Sequence, residues 1–183
     1  MGEKSRINRF APPLMQAFRE SFRKRDAAKP MDLRDEAGNR VVAGRRNSQR
    51  RMASDQSLRQ DLAEDLVSLF NTVNLASSVD LEGLDHVRRS ILNYGLDDLS
   101  TMTIDSASVS GVGTGLHHAL VAFEPRLVGG SVTVARDTKR SDRHDMKVRF
   151  DVKADMHATP VDVPLDFVAE LEVDSAKMKI SKL

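Results

Sequence analysis

The sequence predicts an α+β fold in which N-terminal helices pack on one face of a small antiparallel (or mixed) β-sheet, helices first and strands second. Apolar residues recur with the 3.6-residue period of helices up to Phe123 and with the two-residue period of strands after Pro125. The outward positions of the predicted strands carry Lys and Arg on one strand and acids on the next. This pattern is typical of an antiparallel sheet with one face in water.

The composition suits one domain preceded by an arm. The chain has 183 residues, of which 40% are hydrophobic and 30% charged, and its net charge is +1. No apolar run approaches the roughly 20 residues of a membrane-spanning helix, and Met1 to Phe10 lacks the apolar core of a secretory signal. The absence of cysteine excludes disulfides, thiolate metal ligands and Cys nucleophiles, and it fits a reducing cytoplasm.

The charge is concentrated at the N-terminus. Residues 1–52 hold 14 Lys and Arg against 6 Asp and Glu, a net +8, so the rest of the chain carries −7. We therefore predict a basic arm over residues 1–48 and an α+β domain over 49–183. Such an arm raises the hypothesis of nucleic-acid binding. Its few aromatic residues favour an arm that is solvated or docks on protein, so no nucleic-acid partner is expected.

The arm is predicted to contain a short amphipathic helix followed by a linker. Leu14, Phe18 and Phe22 recur every four residues and would form one apolar face of a helix over residues 11–25. Residues 26–48 contain proline, glycine and mixed charge without periodicity, which is typical of an extended linker. The apolar stripe predicts that the arm docks on its own domain or on a partner.

Three helices are predicted in the domain. The first is capped by Ser54 or Asp55, and its apolar stripe comprises Leu58, Leu62, Leu66, Leu69, Phe70 and Val73. Arg59, Asp61, Glu64 and Asp65 are expected on its opposite side. The second helix runs from Asp85 to Tyr94 and ends at a left-handed Gly95. The third ends at Phe123, because the residue before Pro125 avoids the helical conformation.

Strands with alternating burial are predicted after residue 131. Their inward residues are expected to be Val132, Val134, Met146, Val148, Phe150, Val152, Ala154, Leu165, Phe167, Ala169, Leu171, Val173, Met178 and Ile180. Residues 137–145 are predicted to form a polar hairpin loop. The last strand, Lys177 to Lys182, is short and rich in lysine, as is typical of a guarded sheet edge. The pattern leaves open which edge of the sheet a partner strand would use.

Several candidate sites have weak support. Gly111, Gly113 and Gly115 resemble a phosphate loop but lack the Gly-Lys-Ser/Thr ending, so we expect a loop leading into the third helix. The five histidines show no metal-ligand spacing, and neither a metal nor another cofactor is expected. Glu124 has an apolar context, but glycoside cleavage needs a second carboxylate and an aromatic-lined cleft. We expect no catalytic residue.

The segment Glu124-Pro125-Arg126 is the most unusual local feature. It places an acid, a rigid proline and a base between the helical part and the sheet. It can be a helix stop with a local ion pair. Alternatively, it presents a charge pair to a partner, with the Arg126 fork donating to carboxylate or carbonyl oxygens and Glu124 accepting.

Two segments resemble a known family. They are Val87-Arg88-Arg89-Ser90-Ile91-Leu92-Asn93-Tyr94-Gly95-Leu96-Asp97-Asp98-Leu99 and Phe123-Glu124-Pro125-Arg126-Leu127. In this order and spacing they resemble TssE, the baseplate wedge subunit of type VI secretion systems. TssE is similar to the wedge protein of contractile phage tails, historically called lysozyme-like. The likeness covers about residues 49–183, and Asp97 stands where the family often has proline.

The resemblance implies an assembly role and not catalysis. Family members occupy the baseplate wedge with TssF, TssG and TssK, near the spike and tube, and the small sheet is thought to prime the TssB/TssC sheath by accepting sheath strands. The Glu-Pro-Arg contact motif maps to Glu124, Pro125 and Arg126. The implied location is the cytoplasm, at a membrane-docked baseplate and without membrane insertion. A peptidoglycan-cleaving enzyme is the alternative.

Overall fold

The computed structural model describes residues 9–11, 13–23, 25, 53–100, 106–137 and 146–181. The whole predicted linker 26–48, the loop residues 138–145 and Lys182 of the predicted last strand therefore lie outside the described residues. By its internal contacts the chain divides into two compact units, Met1–Asp61 and Leu62–Leu183. The boundary falls within one helix.

The first unit contains a two-stranded pairing that the sequence patterns did not predict. Strand β1 (Arg9–Phe10) pairs antiparallel with β2 (Ala53–Ser54), and Phe10 and Ala53 are both buried. Helix α1 (Leu14–Arg23) lies within the predicted range. Its apolar stripe is exposed, since Leu14, Phe18 and Phe22 are 81%, 65% and 85% exposed.

Helix α2 (Asp55–Phe70) begins and is buried largely as predicted. Ser54 caps it by accepting a hydrogen bond from the backbone N–H of Ser57 at 3.1 Å. The predicted stripe is buried from Leu58 to Phe70, but Val73 lies beyond the helix and is exposed. The expectation for Asp61 is wrong. Asp61 is buried, and Arg23 of α1 compensates its charge by donating a hydrogen bond to the carboxylate at 2.8 Å.

The predicted helix from Asp85 to Tyr94 is wrong in its length. Helix α3 covers Asp85–Arg88, and a 3₁₀ turn follows at Ile91–Asn93. The Ser90 hydroxyl donates to the carbonyl of Val87 and accepts from the N–H of Leu92, which gives the backbone an alternative to helical bonds. Ile91, expected on the inner face, is 80% exposed.

Helix α4 (Ser106–Phe123) ends where the proline predicts. It passes straight through Gly111, Gly113 and Gly115, so the expected loop at these glycines is wrong. A Cβ built at Gly113 would lie 3.4 Å from Cε1 of Phe150 in the sheet, which is an ordinary van der Waals contact, so the packing leaves room for a side chain there. Val109, Val112 and Leu116 in the same segment are buried, and this burial outweighs the low helix propensity of glycine.

The second unit ends in a four-stranded antiparallel meander, ordered β3-β4-β5-β6. The strands are β3 (Thr133–Arg136), β4 (Lys147–Met156), β5 (Val163–Glu172) and β6 (Lys177–Ser181). The two long strands pair over their full length, from Lys147↔Glu172 to Met156↔Val163. The strands β3 and β6 form the two edges.

The sheet buries one face and exposes charges on the other, as predicted. Every second residue of β4 and β5 is buried, from Val148 to Met156 and from Val163 to Leu171. On the outer face Arg149 pairs with Glu170 at 2.6 Å, and Lys179 pairs with Glu172 at 2.5 Å. Met146 departs from the prediction. It precedes β4, has a positive φ of 49° and is exposed. The α+β class is confirmed.

Candidate functional site at the helix–sheet junction

The segment Glu124-Pro125-Arg126 forms a tight turn directly after α4. The N–H of Leu127 donates to the carbonyl of Glu124 at 3.1 Å, so Glu124 to Leu127 is a β-turn. Proline occupies its second position, for which its fixed φ is suited. We call Glu124, Pro125, Arg126 and Leu127 the corner.

Both charges of the corner are engaged within the chain. Arg126 Nε and Nη2 donate to the two carboxylate oxygens of Glu124 at 2.7 and 2.6 Å, which is a bidentate fork. Nη2 also donates to Oδ2 of Asp65 on α2 at 2.6 Å. The backbone N–H of Arg126 adds a fourth bond, at 3.1 Å to Oε1 of Glu124.

Burial distinguishes this ion pair from an ordinary surface pair. The Glu124 side chain is 5% exposed, and those of Arg126 and Asp65 are 25% and 32% exposed. Burial disfavours the charged guanidinium, but the hydrogen bonds and charges of Glu124 and Asp65 outweigh it and raise the pKa of Arg126 above its usual range. Pro125 remains exposed. The exposed surface of the corner therefore consists of Pro125 and part of the Arg126 side chain, whose charge is compensated by the carboxylates of Glu124 and Asp65.

Backbone hydrogen bonds fix the corner to the sheet. The carbonyl of Arg126 accepts from the N–H of His157 at 2.7 Å, and the N–H of Val128 donates to the carbonyl of Asp155 at 2.8 Å. Leu127 and Met156 form an isolated antiparallel bridge between these bonds. The corner therefore pairs with β4 on the same side as β3 does.

The Asn-Tyr-Gly-Leu segment meets the corner in space. The ring of Tyr94 packs edge-on against Phe123, with centroids 5.5 Å apart. Burial raises the pKa of Tyr94 above 10.0, a hydrogen bond with Ser68 opposes the shift, and the carboxylates of Asp65 and Glu124 add to it. The two motifs, about thirty residues apart in sequence, therefore form one site.

Gly95 lets the chain cross the end of α2. It has a φ of +121°, and a Cβ at this position would collide with the carbonyl oxygen of Thr72. Two backbone hydrogen bonds of Leu96 stabilise the crossing. Its N–H donates to the carbonyl of Thr72, and its carbonyl accepts from the N–H of Asn74. The positive φ was predicted, but its reason is close backbone approach and not the end of a helix.

Asp97, where the resembling family often has proline, has a hydrogen-bond partner. Its Oδ1 accepts from Nδ2 of Asn74 at 2.7 Å. Nearby, Asn93 accepts from the N–H of Ala76 at 2.8 Å and donates to the carbonyl of Arg88 at 3.1 Å. Side-chain amides therefore hold this loop in place of a fixed φ.

Sequence reasoning missed three contributors. The helical periodicity predicts Asp65 on the outer face of α2 and Tyr94 on a helix face, although both lie next to Arg126. The periodicity gives no role to Asn71, whose amide bonds the backbone of β6. No local signal marks these residues, because their partners are distant in sequence.

The other candidates remain dispersed. Among the residues that the structure describes, no group of three or more His, Asp or Glu could hold a metal ion. His117 and His118 are adjacent on α4 with ring centroids 6.2 Å apart, and His144 lies outside the described residues. None of the helices in the described ranges is both long and apolar enough to cross a bilayer.

The fold and the corner together define a small α+β domain with a rigid, internally neutralised surface turn. The chain belongs to the family of baseplate wedge protein gp25, whose family model matches residues 56–161. TssE is the type VI secretion homologue in that family, so the resemblance drawn from the two motifs is confirmed at the family level. No curated protein and no solved structure matches the chain. The family places the chain among structural baseplate components.

Proposed function

We propose that the chain is the TssE-type wedge subunit of a type VI secretion baseplate. It docks with TssF, TssG and TssK, near the spike and tube, and primes assembly of the TssB/TssC sheath by strand addition. The match to the gp25 family over residues 56–161 carries this proposal, because it contains both motifs on which the TssE resemblance rests. The place of action is the cytoplasm, at a membrane-docked baseplate.

The corner is the proposed contact with the other wedge subunits. Pro125 is exposed and Arg126 is partly exposed, whereas Glu124 is buried beneath them. Three parts of the chain hold the turn, namely α2 through Asp65, the end of α4, and β4 through its backbone. A surface that is already rigid loses little conformational entropy when a partner binds. Glu124 and Asp65 contribute by fixing Arg126.

The domain boundaries follow the same proposal. Residues 49–183 form the wedge domain, and residues 1–48 form a basic arm that docks on a neighbouring subunit. The exposed stripe of Leu14, Phe18 and Phe22 supports this role for the arm, because the polar side of α1 already binds α2 through Arg23 and Asp61. An apolar helix face in this position is available to another protein.

A co-purification experiment tests the wedge assignment. The tagged chain is produced with its TssF and TssG, and both are expected to remain bound through purification. Pro125→Lys, which places a long charged side chain on the exposed turn, should remove them. Val161→Lys is the matched control, because Val161 is 59% exposed on the loop after β4. Retention of TssF and TssG by both variants would contradict the assignment of the corner.

We further propose that the chain is not a glycoside hydrolase. Glycosidases hold two carboxyl groups on either side of the scissile bond. Here the nearby carboxylates of Glu124 and Asp65 both bind the guanidinium of Arg126, which occupies the space between them. Purified protein incubated with cell-wall sacculi should release no muropeptides. Release that disappears in Glu124→Gln would establish the lysozyme-like alternative.

A further inference from the structure

The two edges of the sheet differ in the state of their backbone hydrogen bonds. In an antiparallel sheet each residue directs both its N–H and its C=O to the same neighbour, and successive residues alternate in direction. An edge strand therefore offers the groups of every second residue to an incoming strand. Strand addition, which belongs to the function proposed above, requires an edge at which these groups are free.

The β6 edge is closed by a side chain of α2's terminal turn. Asn71 Oδ1 accepts from the N–H of Met178 at 3.0 Å, and Asn71 Nδ2 donates to the carbonyl of Met178 at 2.9 Å. The amide thus makes the two bonds that an added strand would make. It is held in position by a further bond from Nδ2 to the carbonyl of Val67, at 2.8 Å.

Little of the β6 edge remains after this cap. Met178 directs its backbone groups outward, so Lys177 and Lys179 direct theirs to β5, as the register with Glu172 and Glu170 requires. Within the described part of β6, Ile180 is the residue left with outward groups. The backbone N–H and C=O of a single residue are too few to bind an added strand.

Within the part of the chain that the structure describes, the β3 edge is open. The N–H of Asp137 donates to the carbonyl of Arg149, so residues 133, 135 and 137 face β4, and Val134 and Arg136 direct their backbone groups away from it. Neither Val134 nor Arg136 has another hydrogen-bond partner in the described part of the chain. Two successive outward residues provide four backbone groups for an added strand.

The surroundings of β3 also fit a strand. A cleft of about 490 Å³ lies between α4 and β3 and is lined by Val134, Phe150 and Gly113, among others. An apolar side chain of an added strand has room there. Arg136 is exposed and has no carboxylate partner among the described residues, so an acid on the added strand would complement it. The corner pairs with β4 on the same side as β3.

We infer that β3 is the edge that accepts a partner strand and that Asn71 keeps β6 closed. The added strand carries an apolar residue toward the cleft and a carboxylate opposite Arg136. The inference rests on the proposed function, and it assigns a position that strand addition alone leaves open. It also places the accepting edge beside the corner, so that one partner assembly can contact both.

Matched proline substitutions test the edge in cells that carry the complete secretion apparatus and a fluorescent sheath subunit. Proline is tolerated in an edge strand where its missing N–H would face solvent. Val134→Pro removes an outward donor from β3, and Ile180→Pro removes one from β6. We expect Val134→Pro to abolish sheath formation and Ile180→Pro to leave it unchanged, with both purified variants retaining the circular dichroism spectrum of the parent.

The other outcomes distinguish a wrong assignment of the accepting edge from a failure of the proposed strand addition. Loss of sheaths with Ile180→Pro, alone or together with Val134→Pro, overturns the assignment to β3 and leaves strand addition standing. Normal sheaths with both variants overturn strand addition itself. Co-purification of TssF and TssG reports separately on the wedge assignment.

A cross-linking experiment covers a failure of Val134→Pro to fold. The chain contains no cysteine, so Ala135→Cys and Ser181→Cys each introduce a single exposed thiol, on β3 and β6. After labelling with a benzophenone maleimide and irradiation with assembled sheath, a sheath adduct is expected at residue 135 and not at 181. An adduct confined to residue 181 overturns the inference.

Discussion

Arg126 shows at the scale of one residue how the corner is held. Its guanidinium joins Glu124 at the end of α4 to Asp65 on α2, and its backbone carbonyl binds β4. An exposed ion pair contributes about 0–1 kcal/mol. Breaking an ion pair that has one buried partner lowers stability more, because removing the cation leaves a carboxylate that water cannot reach.

Arg126→Ala is expected to lower the free energy of unfolding by about 2–4 kcal/mol, since Glu124 would remain buried and unpaired. Arg126→Lys should cost less, because it keeps the charge and loses the fork. Arg59→Ala is the control, because its partner Asp55 on α2 is 46% exposed and stays in contact with water, and it should cost about 0–1 kcal/mol. Urea unfolding measures all three. Equal losses for Arg126→Ala and Arg59→Ala would show that the corner pair is not structural.

Gly95→Ala is expected to cost about 3 kcal/mol, because it adds a collision with the Thr72 carbonyl to an unfavourable φ. Gly83→Ala is the matched control. Gly83 also has a positive φ, +72°, but nothing lies within 4 Å of its added Cβ, so we expect about 1 kcal/mol. Thermal and urea unfolding compare the two. Similar losses would mean that strain, and not close approach, selects glycine at position 95.

At the scale of an element, the long strands β4 and β5 combine a buried apolar face with a charged ladder. Lys147 and Arg149 on β4 both reach Glu170 on β5, at 2.9 and 2.6 Å. Hydrogen bonding from Lys147, partly opposed by burial and aided by Arg149, lowers the pKa of Glu170 below 4.5. Opposite charges at paired positions help to fix the register, because a slip by one residue would face them with the wrong partners.

The ladder predicts a dependence of stability on acid. Since the folded-state pKa of Glu170 lies below 4.5, its contribution is complete above pH 4.5 and is lost as the pH falls through the lowered value. The parent chain should therefore lose more stability than Glu170→Gln between about pH 6 and about pH 3. Glu82→Gln, in an exposed turn, should follow the parent. Parallel curves for the parent and Glu170→Gln in urea unfolding would exclude a role for the ladder.

At the scale of the whole chain, helix α1 binds α2 through a buried carboxylate. Asp61 is 2% exposed, accepts from Arg23 at Oδ1, and has a second oxygen without a hydrogen-bond partner among the described residues. Arg19 donates to its backbone carbonyl at 2.9 Å. Arg19 and Arg23 therefore hold α1 on α2 by its basic side, and the apolar residues Leu14, Phe18 and Phe22 stay exposed.

Deletion of residues 1–48 is expected to leave a folded but less stable domain, because Asp61 loses Arg23 and Ala53 loses its pairing with Phe10. Asp61→Asn should restore part of this loss in the truncated chain, since a neutral amide is cheaper to leave without a cation. In the full-length chain the same substitution should lower stability. Circular dichroism and urea unfolding of the four proteins check this reversal of sign, and its absence would show that the arm does not neutralise Asp61.

The sequence determined the order and type of most elements. Long apolar stripes such as Leu58 to Phe70 and strict alternation such as Val148 to Met156 have one low-energy arrangement, so local periodicity suffices. Periodicity failed at Ser90, where side-chain bonds replace helical ones. It also failed at Gly113, where the burial of Val109 and Leu116 on either side keeps the chain helical. The motifs were recognisable, but their contact was not.

Local patterns are enough to predict the α+β class, the end of α4 before Pro125 and the two segments that identify the family, because each depends on neighbouring residues. Three contacts are visible only in the folded chain: Arg126 with Glu124 and Asp65, Tyr94 with Phe123, and Asn71 with the backbone of β6. The physical reason is distance along the chain. A hydrogen bond between Asn71 and Met178 spans 107 residues, and no local pattern records which groups folding brings within 3 Å of each other.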